Sequence, residues 1–144
     1  MRILVIHGPN LNMLSKRDTT VYGKQTLDDV NSAIQLRAAK LNVETSFFQA
    51  NSEGDIVDFL QQESPQAQAI IINPGALTHY GLSLRDALED TRLPIVEVHI
   101  SNIYAREEFR AHSVVAPIAR GQISGLGAKG YLVALEYLAA ELNK

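Results

Sequence analysis

The sequence predicts an α/β protein built on one doubly wound, five-stranded parallel sheet. Three observations predict it. Short runs rich in Ile and Val, such as ILVI at 3–6 and AIII at 69–72, are continuously apolar, as strands covered on both faces are. Segments with helical spacing of apolar residues lie between those runs. The chain has 144 residues, 46% of them hydrophobic, which is the size and content of one domain with a real core. Strands alternating with helices make a parallel sheet with helices on both sides. Five strands in this length fit the flavodoxin-like order 2-1-3-4-5, in one domain spanning 1–144.

Ile3–Ile6 is the first strand, broken at once by Gly8-Pro9. Nothing reads as helical until Thr26, so a long loop follows where about two to six residues would connect strand to helix. Thr26 is an N-cap with Asp28 and Asp29 in the first turn, where acidic groups favour the helix dipole. Leu27, Val30, Ile34, Ala38 and Leu41 give that helix its apolar face. Val43–Phe48 is the second strand, and Ser52 caps a helix carrying Ile56, Val57 and Leu60. Ala69–Ile72 is the third strand, ended by Asn73-Pro74-Gly75, and a helix runs through Leu84–Leu88. Ile95–Ile100 is the fourth strand and Gly121–Ser124 marks a short fifth. The last helix carries Leu135, Leu138, Ala139 and Leu142.

Composition narrows the function. A net charge of −3, with no basic run, gives no electrostatic case for nucleic acid or an anionic membrane surface. Cysteine is absent, which rules out thiolate chemistry and suits a reducing cytoplasm. The opening MRILVIHG is too soon broken for a signal peptide, and no apolar run approaches the ~18 residues of a membrane span. No metal-ligand spacing, G-x-S-x-G or Walker pattern is present, and no lysine lies in an apolar strand.

In doubly wound sheets ligands bind beyond the carboxyl ends of the strands, where strand order reverses. The polar residues fall there. Asn10 follows strand one; Asn73 ends strand three, with His79 soon after; Glu97, His99 and Ser101 run along the end of strand four. Alternation puts those last three on one strand face, where Glu97 can hold the His99 imidazole and raise its basicity. In the long loop, SKRDTTVYGK at 15–24 reads as a lid hinged near Gly8 and Gly23. Its Arg17 beside Tyr22 is a way to make a base, because a close cation stabilises a phenolate. Arg106 and Arg110, four apart, are expected on one helical face at the mouth of the crevice. GLGAKG at 125–130 matches G-x-G-x-x-G but lacks the following strand and acidic residue of a dinucleotide site, and reads as a tight turn with close helix packing.

GPNLN at 8–12, Arg17 five before Tyr22-Gly23, NPGALTH at 73–79, LRDA at 84–87, EVHISNIYAREEFRAHS at 97–113 and GLGAKGY at 125–131 together resemble type II dehydroquinase. The match runs through nearly the whole chain. The resemblance implies a cofactor-free 3-dehydroquinate dehydratase of the shikimate pathway or quinate catabolism, acting by anti elimination through an enolate. It also implies a homododecamer, a tetramer of trimers, in the cytoplasm. By the family pattern Tyr22 is the proton acceptor, Arg17 its stabiliser, His99 the proton donor and Glu97 its orienter. Asn10 would hold a water near the enolate. Asn73, His79, Ile100, Ser101 and Arg110 would bind substrate, with Asp86 reaching in from a neighbouring copy. Departures are His7 where Asn is frequent, Ala76 where Gly is frequent, Tyr80-Gly81 where Thr-Ser is frequent, and Thr19 in place of a common proline. The competing class is a non-catalytic receiver or flavin-binding domain. A receiver wants carboxylates where this chain has Asn10 and Asn73, and a flavin site wants hydroxyls that GPNLN lacks.

Overall fold

The computed structural model describes all residues, 1–144. Five parallel strands form one sheet in the order β2-β1-β3-β4-β5. They are β1 (Arg2–His7), β2 (Glu44–Gln49), β3 (Ala69–Asn73), β4 (Ile95–His99) and β5 (Gly121–Ser124). The helices are α1 (Thr19–Tyr22), α2 (Leu27–Lys40), α3 (Glu53–Glu63), α4 (Leu82–Thr91) and α5 (Lys129–Leu142). Chain order reverses at β1, which pairs in parallel with both β2 and β3.

Alternation along the buried strands sorts their side chains into two cores. Ile3, Val5, Ile71, Val96 and Val98 pack under α2 and α5, against Ile34, Leu135 and Leu138. Leu4, Ile6, Ile70, Ile72 and Ile95 pack under α3 and α4, against Ile56, Leu60, Leu84 and Leu88. The helices start as the sequence indicates. Thr26 accepts from Asp29 N–H at 3.1 Å while Asp29 accepts from Thr26 N–H at 3.0 Å, a reciprocal capping box. Ser52 caps α3 through Asp55 N–H.

Two loop expectations are corrected. The segment before Thr26 is not featureless: 3₁₀ turns span Leu11–Lys16, and α1 follows. Its first turn is anchored, because Leu11 and Leu14 are buried in the core beneath α2. Asp18 then caps α1 by accepting from Thr20 N–H at 2.9 Å. Gly8 is also not a free pivot. Its N–H donates to Asn73 O at 2.7 Å, and an added Cβ would lie 2.3 Å from Pro74 O. Glycine is needed there for close approach of two backbones, whereas Gly23 has the positive φ of 78° expected at a turn. The GLGAKG turn behaves as read: Gly125 and Gly127 have positive φ, and Gly130 packs against Ile123 and Val98.

Candidate active site

The carboxyl ends of β1, β3 and β4 open into a cavity of about 140 Å³. Asn10, Arg17, Tyr22, Asn73, His79, His99, Ile100, Ser101 and Arg110 all reach its wall, so nine of the residues singled out in the sequence are brought together. Arg106 joins them, making three guanidinium groups, and no carboxylate lines the wall. Such a cavity favours an anionic ligand. A larger hollow of about 800 Å³ lies on the other side of Tyr22, against the start of α5. It contains neither His99 nor Asn73.

At the end of β4, Glu97 is fully buried and hydrogen-bonded to His99 Nε2. With Nε2 committed to the carboxylate, Nδ1 is the nitrogen left to exchange a proton with a ligand. Three further donors hold Glu97. Thr78 Oγ1 donates at 2.5 Å, Ser113 Oγ at 2.8 Å and Gln122 Nε2 at 3.1 Å. Ser113 is itself fixed, since its oxygen accepts the N–H groups of Val115 and Ala116 at 3.1 and 2.9 Å. Burial pushes the Glu97 carboxyl up, but the bond and charge of His99, with Thr78 and Ser113, outweigh it and hold the group below the ordinary value. Glu97 is therefore a carboxylate at neutral pH, able to steady a positive charge on His99. Sequence reasoning missed Thr78, Ser113 and Gln122. Thr78 and Ser113 lie within quoted motifs, but nothing in their spacing says that they turn toward one carboxylate.

On the loop side, Arg17 Nη2 donates to the Tyr22 phenolic oxygen at 2.8 Å, and its guanidinium carbon lies 3.7 Å from the ring centre. The Asp18 cap sets this geometry by turning the chain between the two residues. Arg106 adds a second cation 5.2 Å from the same ring and donates to Ser101 Oγ at 3.1 Å. The expectation that Arg106 and Arg110 share a helix face is overturned. Arg106 is extended (φ −110°, ψ −155°) between two separate 3₁₀ turns, Ile103–Ala105 and Glu108–Ala111. Arg110 instead pairs with Glu107 at 2.5 Å.

The remaining binding candidates are held by bonds to backbone and side chains of their neighbours. His79 Nδ1 bonds to His112 O at 2.7 Å; the carbonyl requires that nitrogen to be the donor, which leaves Nε2 free. Asn10 has a left-handed backbone, φ 71°, and its N–H donates to Asn51 Oδ1. Asn73 Oδ1 accepts from Gly75 N–H at 3.1 Å and its Nδ2 donates to Tyr131 Oη at 3.0 Å. Asp86 is not part of this cavity. Its side chain is exposed on α4, 3.8 Å from Arg85.

Known proteins share much of this sequence and this fold. Residues 1–139 match the family model described as dehydroquinase class II. The chain is 60% identical over 138 residues to a 3-dehydroquinate dehydratase of Roseiflexus castenholzii, covering 96% of this chain and 88% of that one. It is 58% identical over 137 residues to the 3-dehydroquinate dehydratase of Herpetosiphon aurantiacus, covering 95% of each. Its fold matches the crystal structure of a type II dehydroquinase from Butyrivibrio crossotus with a TM-score of 0.93 and 44% identity, over 96% of this chain and 97% of that chain.

Proposed function

The chain belongs to the class II dehydroquinase family, and from that membership we propose how its own residues dehydrate 3-dehydroquinate to 3-dehydroshikimate. The enzyme is a hydro-lyase, and the reaction serves the shikimate pathway or quinate breakdown. Tyr22, as the phenolate, takes the proton from C2, next to the C3 ketone. The electron pair moves onto the carbonyl oxygen and forms an enolate, with a water held by Asn10 beside it. Collapse of the enolate breaks the C1–O bond on the opposite face. The departing hydroxide takes the proton of His99 and leaves as water. Tyr22 has then gained one proton and His99 has lost one, and solvent resets both. Glu97 stabilises the protonated imidazole before the transfer.

The observation that carries this reading is the meeting, in one arginine-lined cavity, of Tyr22 bonded to Arg17 with His99 backed by Glu97. Arg17 stabilises the phenolate, as a charge-assisted donor does. The arginines suit the substrate carboxylate, for which Ser101 and the backbone at Ile100 are the seat. Asn73, His79 and Arg110 bind the ring hydroxyls. We place Asp86 against the cavity of a neighbouring copy in a homododecamer, a tetramer of trimers, because it stands exposed outside its own cavity. We further propose that the enzyme needs no cofactor, since the base and the acid are both side chains, and that it works in the cytoplasm. No helix is long and apolar enough to cross a membrane.

Proton exchange separates the two roles. In heavy water, His99→Ala should still exchange the C2 proton of 3-dehydroquinate while losing dehydration, and Tyr22→Phe should lose both. Exchange surviving in Tyr22→Phe would give the base another identity.

A further inference from the structure

The Asn73 amide, assigned above to substrate binding, is the visible end of a hydrogen-bonded chain that runs down into the α2–α5 face of the sheet. His7 and Asn73 are register partners on β1 and β3. Tyr131, fully buried on α5, bonds to both: its oxygen lies 3.0 Å from Asn73 Nδ2 and 3.1 Å from His7 Nδ1. His7 Nε2 lies 2.7 Å from Asn31 Oδ1 on α2.

The direction of every bond follows from its neighbours. Gly75 N–H can only donate, so the Asn73 atom that it meets is the carbonyl oxygen, and the other end is the amide nitrogen. That nitrogen donates to Tyr131. The Tyr131 hydroxyl must then give its own proton to His7 Nδ1, since no other acceptor stands within reach of it. His7 is consequently neutral, with its hydrogen on Nε2, and donates to Asn31. Burial agrees with this: it pushes His7 down to about 4, against the opposing bond from Asn31. It also pushes the Tyr131 phenol up, which keeps the phenol protonated and donating. Nδ2 of Asn73 makes no other bond within the chain, and Asn73 lines the cavity. Its second hydrogen is therefore the one left for a ligand.

We propose that His7 and Tyr131 are positioning residues: neutral His7 orients the Tyr131 hydroxyl, which pins the Asn73 amide so that its free N–H meets a substrate hydroxyl. The assignment rests on the substrate-binding reading of Asn73. An amide turned end for end would present a carbonyl oxygen instead, so the chain fixes which partner the site accepts. Asn at position 7 preserves the device, because its Oδ1 stands about where the imidazole Nδ1 stands. A leucine there does not.

The test is steady-state kinetics with 3-dehydroquinate on the full chain. Asn73→Ala should raise KM. Tyr131→Phe and His7→Leu should each raise KM roughly three- to tenfold, the worth of one neutral hydrogen bond, with a smaller change in kcat. His7→Asn should restore the wild-type KM. If Asn73→Ala raises KM while Tyr131→Phe and His7→Leu leave it at the wild-type value, the positioning role is wrong and the reading of Asn73 stands. If Asn73→Ala leaves KM unchanged, both fall together. A loss of melting temperature and of kcat at unchanged KM would mean packing alone, and overturns the proposal. Should either buried variant fail to fold, nitrogen-15 spectra of the wild-type imidazole decide the matter. A neutral ring protonated on Nε2 is expected at neutral pH, and the Nδ1–H form would overturn the assignment.

Discussion

Replacing His7 by Asn should flatten the acid side of the stability curve. His7 is fully buried, and its pKa falls from 6.5 to about 4 because burial penalises the imidazolium, partly offset by the bond to Asn31. Between those values the unfolded chain binds a proton that the folded chain refuses. The unfolded state then holds more protons, so stability rises with pH through this window and falls as the solution is acidified. The full difference is about 3 kcal/mol, at 1.36 kcal/mol per unit. By about pH 5 roughly 2 kcal/mol of it should already be lost relative to about pH 7.5. Glu97, held below its ordinary value, also contributes stability above the carboxylate range and loses it as pH falls. That contribution is shared by both proteins and cancels in the comparison. Urea unfolding of the wild type and His7→Asn, at one fixed protein concentration from about pH 7.5 down to about pH 5, measures the difference. The wild type should lose about 2 kcal/mol more than the variant. Parallel curves would show that His7 is protonated in the folded state, and the neutral-imidazole argument would fail.

Ser113→Ala removes a donor to Glu97 and strands two backbone N–H groups, so chemical denaturation should show a loss of roughly 2–4 kcal/mol. Because Glu97 must be ionised to steady His99, the same variant should lose activity at higher pH than the wild type on the acid limb of its pH–rate profile. Arg17→Ala should cut kcat/KM sharply, with the remaining activity climbing with pH, and Arg17→Lys should recover only part of it because it keeps the charge but not the planar fork. An Arg17→Ala profile with the same basic-side dependence as the wild type would detach Arg17 from Tyr22. Light scattering should find an assembly whose dissociation, or Asp86→Ala, reduces turnover; a fully active monomer would remove Asp86 from the site.

The sheet was legible because its signals are local. Ile3–Ile6 and Ala69–Ile72 are apolar on both faces, Ile95–His99 is apolar apart from Glu97 and His99, and Thr26 and Ser52 declare the helix starts. Strand order then followed from topology, which carried Asn10, Asn73 and His99 to one edge without knowledge of any contact. The loop was less legible. The turns at Leu11–Lys16 and Thr19–Tyr22 are too short to show a period, and the first is held by Leu11 and Leu14 meeting a core that only the fold assembles. The i,i+4 spacing of Arg106 and Arg110 misled for the same reason: spacing fixes a common face only where the chain is helical, and here it is extended at Arg106. Thr78, Ser113, Gln122 and Tyr131 lie 16 to 58 residues from Glu97 or Asn73, which they hold, so their bonds exist only after folding.

The central claim is that Tyr22 and His99 together dehydrate 3-dehydroquinate, and direct assay of the product tests it. The product carries a C=C bond conjugated with the ketone, so its appearance can be followed by ultraviolet absorbance. The wild type should produce that absorbance with 3-dehydroquinate, with chelator present or absent. Tyr22→Phe should be nearly inactive, and His99→Ala should lose roughly 10²–10⁴-fold, the contribution of a general acid. A wild-type protein that leaves 3-dehydroquinate unchanged, or a folded Tyr22→Phe that turns it over at the wild-type rate, would contradict the account.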